Sequence, residues 1–334
     1  MKQYVLYSIL IAAFGISSCD NELNLVADWK EVPVIYGFIS PTDTAQYFRI
    51  EKAFLDKDLP PANIAQIPDS LYFENITVEL EQVASGQRYP LVRVDGNLEG
   101  YPRKPGFFSS APNYLYKIKT KDLNPEPDKI YRLIVSDEAG RVITTAETAV
   151  VGTYEMQFSV PVNPIFFRYD NAIRFGWKSP ERSAYFYDFT LLINIQETLN
   201  NDPSTTTTKV LEWQVERNLL RGVSQSTVSA LVPGIEFYKF IARELDANAQ
   251  ITRKFQTIDV VVDAGAKNLY EYLSVGQANA GITGAEFVAS YTNVENGLGL
   301  LSSRSRLEAK NFLINSTTLD SLRNGIYTKD LNFL

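Results

Sequence analysis

LNPEPDKIYRLIVSDEAGRVITTAETAV, residues Leu123–Val150, is the stretch that decides the fold. It opens on a corner in which Pro125 and Pro127 interrupt regular structure. From Lys129 to Ser136 the alternation places Tyr131, Leu133 and Val135 on one face, the period of a half-buried strand. Asp137–Gly140 has the composition of a turn, and Arg141–Val150 reads as the returning strand. A tyrosine just after a proline-rich corner, followed by a hairpin, is the pattern of a late strand in an immunoglobulin-like or fibronectin-like sandwich.

The same period of two extends toward the N-terminus. VPVIYGFISP (Val32–Pro41) and AQYFRIEKAFL (Ala45–Leu55) read as strands around a polar turn at Thr42–Thr44. Asp56–Ser70, with Pro60, Pro61 and Pro68, reads as a loop. ITVELEQV (Ile76–Val83) places Ile76, Val78, Leu80 and Gln82 on one face. Ser85-Gly86 turns it into QRYPLVRV, and YLYKIKT (Tyr114–Thr120) alternates again. About seven short strands over residues 32–152 predict one antiparallel β-sandwich.

Residues 153–334 read as a second such sandwich. FSVPV, AIRFGWKSP (Ala172–Pro180) and AYFYDFTLLINIQET (Ala184–Thr198) are strand-like, and Tyr185, Tyr187, Phe189, Leu191 and Ile193 share one face as candidate core. Asn200–Lys209 is a polar hairpin tip leading into KVLEWQV. Pro233-Gly234 predicts a turn, with strands over Glu236–Leu245 and Gln256–Asp263. The period then changes. Leu269, Tyr272, Leu273 and Gly276 predict a helix over 266–281, followed by a closing strand over 293–308 that pairs back onto the second sandwich. A short helix over Thr317–Gly325 takes its cap from Thr317 or Thr318. The expected fold class is therefore mainly β, two antiparallel sandwiches with a short C-terminal helix-plus-strand region.

The first 18 residues read as a lipoprotein signal. Lys2 is the positive n-region, Tyr4–Ile16 is apolar but short for a bilayer span, and the run ends in Ile16-Ser17-Ser18-Cys19. That is the lipobox order, with Cys19 acylated and first in the mature chain. Cys19 is the single cysteine of the sequence. Residues 19–31 are a polar, acidic tether in which Asp20 and Glu22 directly follow the lipid site.

Composition excludes several function classes. Apolar residues make up 45% and charged residues 21%, which is globular. The net charge of −7 argues against nucleic acid as a partner. With no histidine, there is no imidazole general base, no Ser-His-Asp or Cys-His nucleophile and no imidazole metal ligand. With Cys19 committed to lipid, no disulfide or thiolate site remains. No metal site and no cofactor is expected. A glycosidase-type carboxylate pair would have to be set in space, and nothing in the sequence marks one.

The candidate binding segment is YPRKPGFFSSAP, Tyr101–Pro112. Three prolines keep it on the surface, where Tyr101, Arg103, Lys104, Phe107 and Phe108 are candidate contacts for a receptor, glycan or peptide. The competing expectation is that Phe107 and Phe108 plug their own domain. Asp43-Thr44-Ala45, Asp69-Ser70-Leu71 and Asp320-Ser321-Leu322 resemble an O-glycosylation motif, with Thr44 and Ser70 in expected loops as acceptors. Gly297 and Gly299, flanking Leu298, look structural: they permit unusual φ or a close backbone approach.

Four features in order carry a wider resemblance: the Ile16–Cys19 lipobox, the segment KIYRLIVSDEAGRVITTAET, the helix LYEYL (Leu269–Leu273) and NVENGLGLLSSRS (Asn293–Ser305). The chain resembles an uncharacterised domain family of Bacteroidota outer-membrane lipoproteins, often encoded beside TonB-dependent receptors. Leu300 or Leu301 stands where that family usually has an aromatic. The resemblance implies a location in the outer membrane, on the cell surface rather than the periplasmic face, with Asp20 and Glu22 as a sorting signal. It implies a β-barrel receptor as neighbour and no particular reaction. The expected role is a non-catalytic binding or accessory subunit. A surface adhesion or structural lipoprotein is the alternative, and a carboxylate-based hydrolase the third.

Overall fold

The computed structural model describes residues 31–53, 61–152, 157–160, 163–178, 182–222, 226–281 and 290–334. Cys19, Asp20 and Glu22 lie outside the described residues. The strands are β1 (Val32–Ile39), β2 (Ala45–Ala53), β3 (Thr77–Gln82), β4 (Gln87–Pro90), β5 (Val92–Asp95), β6 (Tyr114–Lys119), β7 (Ile130–Ser136) and β8 (Val142–Ala149). They continue as β9 (Gln157–Val160), β10 (Ala172–Lys178), β11 (Phe186–Leu199), β12 (Thr207–Leu220), β13 (Thr227–Pro233), β14 (Ile251–Gly265) and β15 (Leu298–Phe312). The helices are α1 (Pro61–Ile64), α2 (Pro68–Leu71), α3 (Thr120–Leu123), α4 (Gly234–Glu244), α5 (Lys267–Gly281) and α6 (Ser316–Asn324).

The architecture is mainly β, with several antiparallel sheets. One sheet has eight strands in the order β12-β11-β14-β15-β1-β2-β6-β5. A four-stranded sheet, β4-β3-β7-β8, and a three-stranded one, β13-β10-β9, accompany it. The β7–β8 hairpin forms where alternation and turn composition place it. Gly140 supplies a φ of +77°, and Asp137 accepts the Arg141 N–H through Oδ1 at 2.9 Å. Tyr131, Leu133 and Val135 are fully buried.

Two cores lie along the long sheet. In the first, Ile35, Phe48 and Ile50 meet Leu80, Tyr131 and Leu133 from the four-stranded sheet. Val294 and Leu301, from far along the chain, complete it. In the second, Tyr187, Phe189, Leu191 and Ile193 pack with Phe175 and Trp177 and with Phe237, Tyr238 and Ile241 of α4. Phe237 stacks on Phe167 at 3.9 Å between centroids.

β15 joins the two halves. Its first part pairs in parallel with β1, from Val34↔Leu298 to Ile39↔Ser303. Its second part pairs antiparallel with β14, from Gly265↔Arg304 to Ile258↔Phe312. Ser303 ties the junction: its hydroxyl donates to the Ile39 carbonyl at 2.7 Å and accepts the Val151 N–H at 2.9 Å. Leu301 faces the first core, whereas Leu307 packs against the second.

Three local expectations need correction. Glu236–Leu245 is not a strand but α4 and its C-cap. Phe237, Tyr238, Phe240, Ile241 and Leu245 fall on one helical face and are all buried. QRYPLVRV is two strands in two different sheets: β4 ends at Pro90, buried Leu91 still donates its N–H to the Val78 carbonyl at 2.9 Å, and β5 begins at Val92. The cap of α6 is Asn315, whose Oδ1 accepts the Thr318 N–H at 2.9 Å, rather than Thr317 or Thr318.

Candidate functional site

Tyr101–Pro112 is an irregular segment between β5 and β6, braced along its whole length. Its start is held by the Tyr101 N–H donating to the Gly96 carbonyl at 2.9 Å, and by fully buried Asn113, whose Nδ2 donates to the Tyr101 carbonyl at 2.8 Å. Asn97 accepts the Arg103 N–H at 3.0 Å and donates to the Ser110 carbonyl at 2.9 Å. At the tip, Gln66 donates to the carbonyls of Gly106 and Phe107 at 2.9 and 2.7 Å, and the Ser109 N–H donates to the Ala65 carbonyl at 2.8 Å. A segment with this many backbone partners holds one conformation without a buried apolar centre of its own.

What it holds up is aromatic. Phe107 and Phe108 are 55% and 43% exposed and meet edge to face at 5.2 Å; Tyr101 is 54% exposed. The expectation that the two phenylalanines plug their own domain fails for Phe107, whereas Phe108 is more than half buried against it. Tyr101 leans on Tyr47 at 4.7 Å between centroids. Arg103 is half-buried: its guanidinium pairs with Glu51 and lies 5.5 Å from the Phe108 centroid, a cation–π contact. Lys104 is exposed.

Beneath Tyr101 lies a polar group the sequence did not mark. Glu99 accepts from the Tyr47 hydroxyl at 2.9 Å and pairs with Lys117. Lys117 and then Tyr47, as hydrogen-bond donors, hold the Glu99 carboxyl below the usual carboxylate range. Glu99 in turn raises Lys117, and burial followed by the Glu99 hydrogen bond raises the Tyr47 phenol. Tyr47 and Lys117 are opposite each other on β2 and β6, a pairing visible only once register is known.

The other sequence candidates are dispersed. Thr44 is exposed in the β1–β2 turn. Ser70 lies in α2, not in a loop, and its hydroxyl donates to the carbonyls of Ile64 and Ile67, each at 2.6 Å.

A separate cavity of about 540 Å³ opens where the β1–β2 turn faces β14 and β15. Its carboxylates are ion-paired: Asp43 with Arg304 at 3.6 Å, Asp263 with Arg306 at 2.8 Å and Glu308 with Lys310 at 2.9 Å. None sits in the apolar surroundings that a general acid requires. Among the described residues no group of three or more Asp, Glu, His or Cys is placed to hold a metal ion. No described helix is long and apolar enough to cross a membrane.

Over 120 residues the chain is 29% identical to 1-aminocyclopropane-1-carboxylate oxidase 2 of Malus domestica, which covers 34% of this chain and 36% of that protein. It thus spans about a third of the length of the curated relative it matches. A far longer match is to the model of an uncharacterised family, which runs from residue 23 to residue 309 and takes in the aromatic loop and most of β15. The chain belongs to the family described as Domain of unknown function (DUF4249).

Proposed function

We propose that this protein is a lipoprotein of the Bacteroidota outer membrane, acylated at Cys19, that works as a non-catalytic binding or accessory subunit of a TonB-dependent nutrient-uptake receptor. Asp20 and Glu22 act as its export signal to the cell surface. The carrying observation is the braced Tyr101–Pro112 loop, which holds Phe107 and Phe108 exposed at one end of the molecule. Fixed aromatics lose little entropy on contact, the property of a docking element. A short tether beside a membrane-embedded partner raises the effective concentration of that loop. Both halves are proposed to be immunoglobulin-like or fibronectin-like sandwiches. Support comes from Tyr131, whose hydroxyl accepts the Glu126 N–H at 3.2 Å, the backbone return of a tyrosine corner.

The test is purification from native membranes in mild detergent through a C-terminal tag. Stoichiometric recovery of one TonB-dependent β-barrel supports the accessory role. Recovery of the protein alone, under conditions that preserve barrel–lipoprotein pairs, sinks it and favours a surface adhesion or structural role.

A further inference from the structure

The aromatic loop stands at the end of the molecule where the chain enters the fold. β1 begins at Val32, opposite Ala53 at the end of β2. Glu31, one residue earlier, pairs with Lys52 at 3.0 Å. The preceding residue of β2, Glu51, holds Arg103, and Arg103 lies against Phe108. β6 runs antiparallel to β2, with Phe48 opposite Tyr116, so its first residue, Tyr114, lies toward that same end. The loop that leads into Tyr114 is therefore beside the start of the tether.

Other apolar side chains are exposed there. Asp95 is opposite Tyr114, which places the following turn at this end, and Leu98 in that turn is 88% exposed. Ile67, next to the Gln66 that braces the loop tip, is 45% exposed. Lys104 is exposed beside Phe107 and Phe108, and no acidic residue occurs from Tyr101 to Tyr116 in a chain of net charge −7. Exposed aromatic and aliphatic tips with a basic neighbour match the headgroup–acyl boundary of a bilayer, and of the acids at this end Glu51 and Glu99 are ion-paired to Arg103 and Lys117 while Asp69 is exposed.

We propose that this loop is a second membrane contact, in which Phe107 and Phe108 enter the interface of the bilayer that holds the Cys19 lipid. The proposal rests on the lipoprotein reading above and gives the aromatic tip of the same loop a lipid contact rather than a receptor contact. Fully extended, the stretch from Cys19 to Glu31 spans at most about 40 Å, so the loop is always within reach of the lipid surface. One attachment by lipid leaves orientation free; a rigid apolar contact next to it sets the orientation of the whole fold.

The experiment uses the membrane-extracted protein carrying Gly106→Cys, with Cys19 acylated and the new thiol nitroxide-labelled. It is reconstituted into phosphatidylglycerol–phosphatidylethanolamine vesicles. A Cβ at Gly106 would meet only the Lys104 carbonyl oxygen, at 4.0 Å, so a cysteine fits there. Ser204→Cys, at the exposed tip between β11 and β12, is the reference. The expected result is several-fold lower accessibility to a water-soluble nickel chelate at 106 than at 204, reversed by Phe107→Ser with Phe108→Ser. Equal accessibility at both positions overturns the proposal. Protection that appears only when a β-barrel receptor is reconstituted alongside also overturns it and assigns the loop to a protein partner. Intact mass separates the two readings. Without a lipid adduct on Cys19 the anchor is lost, yet shielding of the label on vesicle-bound protein still supports the loop contact, and its absence still overturns it.

Discussion

Arg253 and Glu197 form an ion pair of 2.8 Å in which the arginine side chain is only 2% exposed. Arg253 also donates to the Leu331 carbonyl at 2.8 Å and the Asp246 carbonyl at 3.0 Å, and its backbone pairs with Asn332 and Leu334. One side chain thus fastens the C-terminus to β14 and to the end of α4. Arg253→Met removes the charge but keeps much of the apolar stem, leaving Glu197 and two carbonyls without a donor. The expected loss is about 3 kcal/mol in urea unfolding. Glu197→Gln, which keeps an acceptor, should lose less.

Gly299 sits at φ +111° where β15 lies against β1, and a Cβ there would run into the Ile35 carbonyl oxygen. Gly299→Ala should cost about 3 kcal/mol or more, because both the backbone conformation and the contact are denied to alanine. Since Ile35 and Leu301 belong to the first core and Leu307 packs on the second, near-UV signals from both halves should shift together. A change confined to one half would contradict this.

These two sites bound what the sequence reveals. The strands of β3, β7 and β8 were legible because one face is buried and the other wet, so alternation survives in the residues themselves. Gly297 and Gly299 were legible as structural, but not their partner: the β1–β15 pairing joins residues at opposite ends of the chain and leaves no local trace. α4 was obscured by its aromatics, which favour strands by propensity although Phe237, Tyr238, Phe240 and Ile241 keep helical spacing. At the candidate site, Tyr101, Arg103, Phe107 and Phe108 were visible from composition. Gln66, Glu99 and Asn113 were not, because polar bracing residues are common types whose role exists only after folding.

Burial, then a hydrogen bond to Glu271, pushes the Tyr291 phenol up to about 12. The folded state therefore keeps a proton that the unfolded chain releases near pH 10. The stability this brings is fully present below pH 10 and is lost as pH rises through 12. Ultraviolet difference titration of the protein against Tyr291→Phe should show the missing phenolate at the alkaline end. A missing phenolate near pH 10 would contradict the burial of this side chain.

Stability and exposure should separate within the aromatic loop. Phe107→Ser with Phe108→Ser should cost about 1 kcal/mol, the Arg103–Phe108 cation–π contact included, since both rings keep a large exposed area. Arg103→Ala removes the ion pair to Glu51, whose two side chains are 14% and 13% exposed, and should cost about 2 kcal/mol. Thermal melts of the two variants would rank them; a larger loss for the phenylalanine pair would mean that the rings are packed.

The course of β15 bears on the order in which such a chain can fold. The first strand after the tether has its place between β2 and a strand that arrives last but for α6 and the terminal residues. Until Leu298–Ser303 is delivered, one edge of β1 stays open and the first core lacks Val294 and Leu301. The N-terminal half therefore completes its sheet and core only after the C-terminal segment has been made, and the two halves set together.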